Sequence, residues 1–274
     1  SDGEILCPPL FNKPALLISE NGSIEIQRVN ASKGITVSIN GQDYYADKNC
    51  YNIDEPVGEL CYYDLMYDKG VIRSEGRIIV RLSGVQVKDI FRGGKNTEII
   101  PVGMTLSFRE DIFPNDLKID DKVKICLHGF KEYRQGVEAG PLLLKNGKVS
   151  VDMEIEGWKK LNSIRTQAAR LDYNDMRGPK IAAGIDKKGI LSVLAINGRI
   201  RESVGATHLD MAKILQEKGL IYAMGFDPGG SSTLFVDGKV RNISPYNSNY
   251  ENDIYSLPPE PRAVSNAIIG YLKK

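Results

Sequence analysis

Apolar, β-branched stretches alternate with short polar turns along most of the chain. Five of those turns carry Asn-Gly or Asp-Gly: Asn21-Gly22, Asn40-Gly41, Asn146-Gly147, Asn197-Gly198 and Asp237-Gly238. Such pairs tolerate the positive φ angles of tight hairpin turns, so each predicts a β-hairpin. On this reading residues 15–19 pair with 24–29, residues 142–144 with the strand at Val149, and residues 191–196 with the segment beyond their turn. Helical spacing is confined to two places. Over residues 207–219, Thr207 is a natural N-cap, Asp210 sits where a capping box needs an acceptor, and Gly219 suits a left-handed C-terminal cap. Met211, Ile214 and Leu215 supply an apolar face. Trp158, Leu161, Ile164 and Ala168 predict a second helix over 157–169, with Trp158 as a core residue. The expected fold class is α+β: a β-rich mixed sheet with a few packed helices. We expect one domain with two lobes, β-rich over about 1–130 and motif-bearing over about 131–274.

Bulk composition narrows the functional classes. The 274 residues can bury a sizeable core. Thirty-six Lys and Arg against 35 Asp and Glu leave a formal charge of +1, with no basic cluster. A nucleic-acid partner is therefore not expected, since phosphate neutralisation by a basic patch supplies most of that affinity. Apolar runs such as 190–196 are strand-sized, far below the roughly 20 residues of a membrane span. Ser1 opens on polar and turn residues without a leader, as a cut inside a longer protein would. Cys7, Cys50, Cys61 and Cys126 form no metal-type pair. They read either as small buried hydrophobes or as two partners of a disulfide. His128 and His208 are too few for a histidine-rich metal centre, and His208, in a helix's first turn, reads as exposed.

Residues 221–236, IYAMGFDPGGSSTLFV, concentrate the candidate chemistry. An apolar strand runs to Asp227 and is followed by a Gly-rich turn with two hydroxyls. A carboxylate at a strand end projects from a sheet rim, where α/β folds tend to bind ligands. Gly229 and Gly230 let backbone approach a ligand and can aim N–H groups at an anion. Ser231 and Ser232 add hydroxyl donors, whereas Pro228 removes a backbone donor. The turn is neither a Walker loop nor a dinucleotide fingerprint. By itself such a turn is more often a simple hairpin connector. Residues 246–259, rich in Tyr, Asn, Ser and Pro, read as a long surface loop whose tyrosines could stack on a sugar.

These motifs resemble one family, the phosphodiester glycosidases, which remove a sugar joined to phosphate through its anomeric carbon. The family's Asp-Gly-Gly-Gly-Ser-Ser-Thr is similar to Asp227-Pro228-Gly229-Gly230-Ser231-Ser232-Thr233. Its closing Arg-x-Val-Ser-Asn-Ala is matched by Arg262 to Ala267. Ala139-Gly140-Pro141-Leu142-Leu143, with the turn Asn146-Gly147, resembles its Gly-Gly-Pro-x-Leu element and following turn Gly, and Ser203-Val204-Gly205-Ala206-Thr207 its Ser-x-Gly-x-Thr lead into a helix. Three departures stand out. Pro228 replaces a Gly, and Lys180-Ile181 replaces the family's Arg-Thr. The family's N-terminal strand with Asn-Gly-Gly-Phe-Phe has no counterpart, so an upstream segment is expected to complete the site.

The resemblance implies a hydrolase acting on a sugar phosphodiester or phosphate-containing glycan in an extracytoplasmic setting. A phosphate monoester's second pKa lies near 6, so the leaving group needs charge neutralisation more than protonation. One carboxylate as base or nucleophile, with cations and N–H donors around phosphate, meets that need. Asp227 is the expected catalytic carboxylate, and Glu138 a second or else a plain surface residue. Lys180 and Arg262 are expected to grip phosphate, although either could be an ordinary ion pair or surface charge. Ser203, Gly229, Gly230, Ser231, Ser232 and Asn266 complete the expected binding set. No cofactor is required; Asp227 with backbone oxygens is suited to a hard divalent cation. The alternative is a catalytically impaired module of the same fold that binds carbohydrate or anions.

Overall fold

A computed structural model describes residues 2–67, 69–99, 103–158, 175–244 and 263–271. The chain divides into two compact units, Ser1–Glu138 with Asp152–Leu171, and Ala139–Val151 with Asp172–Lys274.

The first unit is built from short strands. They begin with β1 (Pro14–Ser19), β2 (Ile24–Arg28), β3 (Gly34–Ile39) and β4 (Gln42–Asp47). Next come β5 (Leu60–Tyr63), β6 (Val71–Arg73), β7 (Arg77–Ser83) and β8 (Gln86–Arg92). The last are β9 (Asn96–Glu98), β10 (Met104–Arg109), β11 (Lys124–Leu127) and β12 (Tyr133–Glu138). They form sheets ordered β12-β1-β2, β5-β10-β7-β8 and β11-β3-β4, and the pair β6-β9. The hairpins expected at Asn21-Gly22 and Asn40-Gly41 are present as β1–β2 and β3–β4.

Period-two alternation explains how one strand serves two cores. Ile78, Val80 and Leu82 of β7, with Leu60 and Tyr62 of β5, enter the large cluster containing Leu106 and Phe108. The intervening Ile79, Cys61 and Tyr63 enter a smaller cluster with Ile72. Strands buried on both faces therefore read as continuous apolar runs, whereas β4 alternates exposed and buried.

One charge is locked inside this unit. Buried Arg77 donates from Nε to Ser107 Oγ at 2.7 Å, from Nη2 to the Ser107 carbonyl at 2.6 Å, and from Nη1 to the Gly58 carbonyl at 3.1 Å. Arg77→Met should lower unfolding stability by about 2–3 kcal/mol, because those acceptors lose their donors in a dry setting. Urea denaturation measures this, and a loss below about 1 kcal/mol would mean that water replaces the guanidinium.

The second unit contains β13 (Leu142–Lys145), β14 (Lys148–Val149), β15 (Lys180–Ile185) and β16 (Leu191–Ile196). After α1 (His208–Glu217) come β17 (Tyr222–Gly225), β18 (Phe235–Val236) and β19 (Lys239–Val240). Its sheet runs β14-β13-β17-β15-β16. Met211, Ala212 and Leu215 pack α1 onto Leu143, Leu144, Ala182 and Ala223 of that sheet. The helix starts as expected. Thr207 Oγ1 accepts from the Asp210 N–H and Asp210 Oδ2 from the Thr207 N–H, both at 3.0 Å.

The β-rich character expected from the turns holds, with two corrections. Among the described residues every strand ladder is antiparallel rather than mixed, and α1 is the one α-helix. The pairing expected at Asn197-Gly198 is also absent: residues 191–196 pair back onto β15, with Lys180 opposite Ile196. The expected hairpins at Asn146-Gly147 and Asp237-Gly238 form. The helix expected over 157–169 and the loop over 246–259 fall largely or wholly outside the described residues; Trp158 itself is buried.

Candidate functional site

Where β17 ends, backbone pairing carries the chain along a sheet rim. Gly140 donates to the Gly225 carbonyl at 3.0 Å and Gly225 to that of Pro141 at 2.9 Å. On the other side the Phe226 N–H reaches the Ile181 carbonyl at 3.0 Å. Ala182 pairs with Gly225, so continuing that register sets Asp227 opposite Lys180. Asp227 is exposed, as a strand-end carboxylate should be to meet a ligand.

The glycine turn is pinned from several directions. Gly229, at φ 71°, donates its N–H to the Pro179 carbonyl at 3.0 Å. Ser232 is fully buried: its N–H reaches the Gly229 carbonyl at 3.0 Å and its hydroxyl the Asp227 carbonyl at 3.3 Å. Asn242 Nδ2 donates to the Ser232 carbonyl at 2.6 Å. Gly230 is buried and Ser231 half-buried at the top of the turn.

Two cations flank this turn. Lys180 is only 3% exposed, and its Nζ donates to the Met176 carbonyl at 3.0 Å. Arg199 reaches in from the loop after β16. A methyl group placed on Gly178 would lie 3.5 Å from Arg199 Nε and 4.0 Å from Lys180 Nζ. One placed on Gly229 would lie 3.2 Å from Arg199 Nη1. The guanidinium thus spans Gly178 to Gly229, with Lys180 alongside. Burial, then the neighbouring Arg199 charge, pushes Lys180 down to about 8.

Close backbone packing holds Arg199 there. A Cβ on Gly205 would meet the Gly178 carbonyl oxygen at 2.2 Å, and one on Gly198 would meet Pro179 N at 2.4 Å. Arg199 follows at φ 56°, a left-handed conformation uncommon for a side chain other than Gly, Asn or Asp. Ser203 braces the same loop. Its hydroxyl donates to the Asn197 carbonyl at 2.8 Å and accepts from the Gly205 N–H at 3.3 Å.

His208 corrects the expectation of an exposed helix residue, being 1% exposed. It shares the face of Met211, Ala212 and Leu215, an i, i+3, i+4, i+7 stripe readable from spacing. A Cβ on Gly225 would lie 3.4 Å from His208 Cδ2, so the glycine admits the ring. Burial, then nearby Lys180, pushes His208 down to about 4, leaving a neutral imidazole at neutral pH.

Glu138 closes β12 in the first unit. The residue is exposed as a whole, yet crowding by protein around its carboxyl outweighs the pull of Lys13, and Asp64 and Glu156 add repulsion. The pKa is pushed up to about 7. Glu156 is fully buried, accepting from Arg28 Nη2 at 3.1 Å and from Trp158 Nε1 at 2.8 Å. Lys13 Nζ lies 4.5 Å from the Trp158 ring centroid. Burial pushes Lys13 down, against the pull of Glu138 and Glu156.

The structure therefore brings together Lys180, Asp227, Gly229, Gly230, Ser231 and Ser232, with Ser203 on the adjoining loop. Arg262 lies outside the described residues, and Asn266 is exposed. Arg199 is the residue of this site that sequence reasoning passed over, and His208 is one it named and misread as exposed. Among the described residues no three His, Cys, Asp or Glu side chains gather as a metal site would require.

The chain matches the phosphodiester glycosidase family over residues 33–270. It is 32% identical over 111 residues to the SPbeta prophage-derived uncharacterized protein YomE of Bacillus subtilis (strain 168). That alignment takes in 39% of this chain and 17% of YomE, so the chain spans a minor part of that relative. A hypothetical protein from Synechocystis shares 20% identity at a TM-score of 0.49, over 87% of this chain and 44% of that one. A putative exported protein from Burkholderia pseudomallei K96243 shares 19% at 0.47, over 89% and 57%. The zebrafish N-acetylglucosamine-1-phosphodiester alpha-N-acetylglucosaminidase catalytic domain, auto-inhibited by its pro-peptide, shares 16% at 0.39, over 93% and 81%. Because the family match extends over most of its length, the protein belongs to the phosphodiester glycosidase family.

Proposed function

We propose that the protein hydrolyses the bond between a sugar and phosphate in a sugar-1-phosphodiester, in an extracytoplasmic setting. The observation that carries this reading is the pairing of two cations, Lys180 and Arg199, beside the turn after Asp227. A phosphodiester carries one negative charge, and departure of the sugar leaves a monoester carrying more. Cations already held in place favour that developing charge over the ground state. Asp227, exposed at the rim, is the carboxylate that activates water or attacks the anomeric carbon. Arg262 is proposed as a further phosphate grip, and Asn266 with Ser203, Gly229, Gly230, Ser231 and Ser232 as the polar surround. Glu138 is the second carboxyl of the reading. Its proton affinity near neutrality suits a group that takes up and returns a proton.

Incubation with a sugar-1-phosphodiester should release reducing sugar and a phosphate monoester together, resolved by chromatography or phosphorus NMR. The second reading, a module that binds without cleaving, rests on Pro228 and Lys180 replacing a donor and a bidentate fork. Saturable binding with no product over long incubation would decide for it.

A further inference from the structure

Away from the rim, the first unit brings two cysteines together. Cys50 ends a one-turn 3-10 helix, Lys48–Cys50, and Cys61 lies in β5. The next residues along each segment, Tyr51 and Tyr62, form a parallel bridge, with the Asn52 N–H donating to the Tyr62 carbonyl at 3.0 Å. Moving back one residue on each segment sets Cys50 beside Cys61. At the bridge itself backbones lie about 4.7–4.9 Å apart, so the two residues before it start close to the roughly 4.4–6.8 Å Cα range of disulfides. The side chains also point the same way. Both thiols address the Val57 carbonyl, Cys61 Sγ at 2.9 Å and Cys50 Sγ at 3.6 Å. Cys50 packs against the cluster that contains Cys61. Cys7 is exposed beside Pro8, and Cys126 is on β11.

We propose that Cys50 and Cys61 are a dithiol–disulfide pair, oxidised by low-molecular-weight disulfides of the glutathione type, which closes the loop of residues 51–60. All four cysteines are free in this structure. Cys50 is half-buried and attacks first: its thiolate bonds to one sulfur of the small disulfide and expels the other as a thiolate. Cys61 then gives up its proton to solvent, and its sulfur displaces the second small thiolate from Cys50. Two protein thiols are oxidised and one small disulfide is reduced to two thiols. Burial, with Cys50 adjacent, pushes the Cys61 thiol up to about 12, so the second displacement quickens as pH rises. The closed loop carries Tyr51 and Asn52, which donate to buried Asp64 at 2.6 and 2.8 Å. Oxidation therefore fastens the segment that holds Asp64.

The test uses the full chain incubated with oxidised glutathione, then alkylated and mapped by mass spectrometry. A cross-linked peptide joining Cys50 to Cys61, with Cys7 and Cys126 alkylated, is the expected result. A raised melting temperature that reductant reverses should accompany it, as loop closure restricts the unfolded chain. Cys50→Ala, chosen because Cys50 is less buried than Cys61, should remove both the cross-link and the rise. A lasting glutathione adduct on Cys50, linkage through Cys7 or Cys126, or a rise retained in Cys50→Ala would overturn the proposal. If Cys50→Ala does not fold, the wild-type peptide map alone decides.

Discussion

Asp227→Asn should reduce turnover of a sugar-1-phosphodiester by about 10²–10⁴-fold, the usual scale of a positioned proton-transfer group. The substitution keeps shape and removes charge. The turn should survive it, because what ties Asp227 to its neighbours is main chain. Its carbonyl accepts from Ser232, and nearby in the turn Gly229 donates to Pro179. The loss should therefore fall on kcat, with substrate affinity and melting temperature little changed. Single-turnover kinetics separate the two quantities. Unchanged turnover in Asp227→Asn would remove Asp227 from the chemistry while leaving the family assignment untouched.

The elements that were legible in the chain share a local cause. A hairpin at Asn40-Gly41 needs only two residues able to take positive φ, and both do. The start of α1 needs only Thr207 and Asp210, three residues apart. Asn197-Gly198 has the same local chemistry and a different outcome. The strand before it already has β15 as a partner, and turn residues cannot say on which side of a strand its neighbour lies. Instead Asn197 is drawn into the loop's own bracing, its carbonyl taking the Ser203 hydroxyl and its side chain the Ile243 N–H.

The candidate site divides along the same line. Asp227 and the glycine turn are contiguous, so one stretch of sequence exposes them. Arg199 is carried to Gly229 by backbone contacts of Gly198 and Gly205, on one loop, with Gly178, which is distant in the chain. Glu138 owes its raised proton affinity to protein crowding, with repulsion from Asp64 and Glu156, against the opposing pull of Lys13, groups again distant in sequence. A cation placed directly after Gly198 and ahead of the Ser203 motif was the available hint of Arg199, and residue type alone does not separate it from a solvated surface charge.

The cation pair supplies the second large effect. Arg199→Ala should lower kcat/KM by about 10²–10³-fold, as loss of one donor from an oxyanion site does. Arg199→Lys should recover only part of it, since an ammonium keeps charge but not the planar fork. Lys180 adds a pH signature. With its pKa lowered to about 8, it is charged below that value and neutral above it. Affinity for an anionic substrate should therefore hold from neutral pH up to about 8 and then weaken, long before an ordinary lysine would titrate. Removing Arg199 takes away one cause of the depression, so in Arg199→Ala the alkaline limb should move to higher pH even as activity falls. A merely structural arginine would lower activity without moving that limb. A pH profile of kcat/KM for both proteins distinguishes these cases, and an alkaline limb that stays fixed in Arg199→Ala would break the link between the cation pair and phosphate binding.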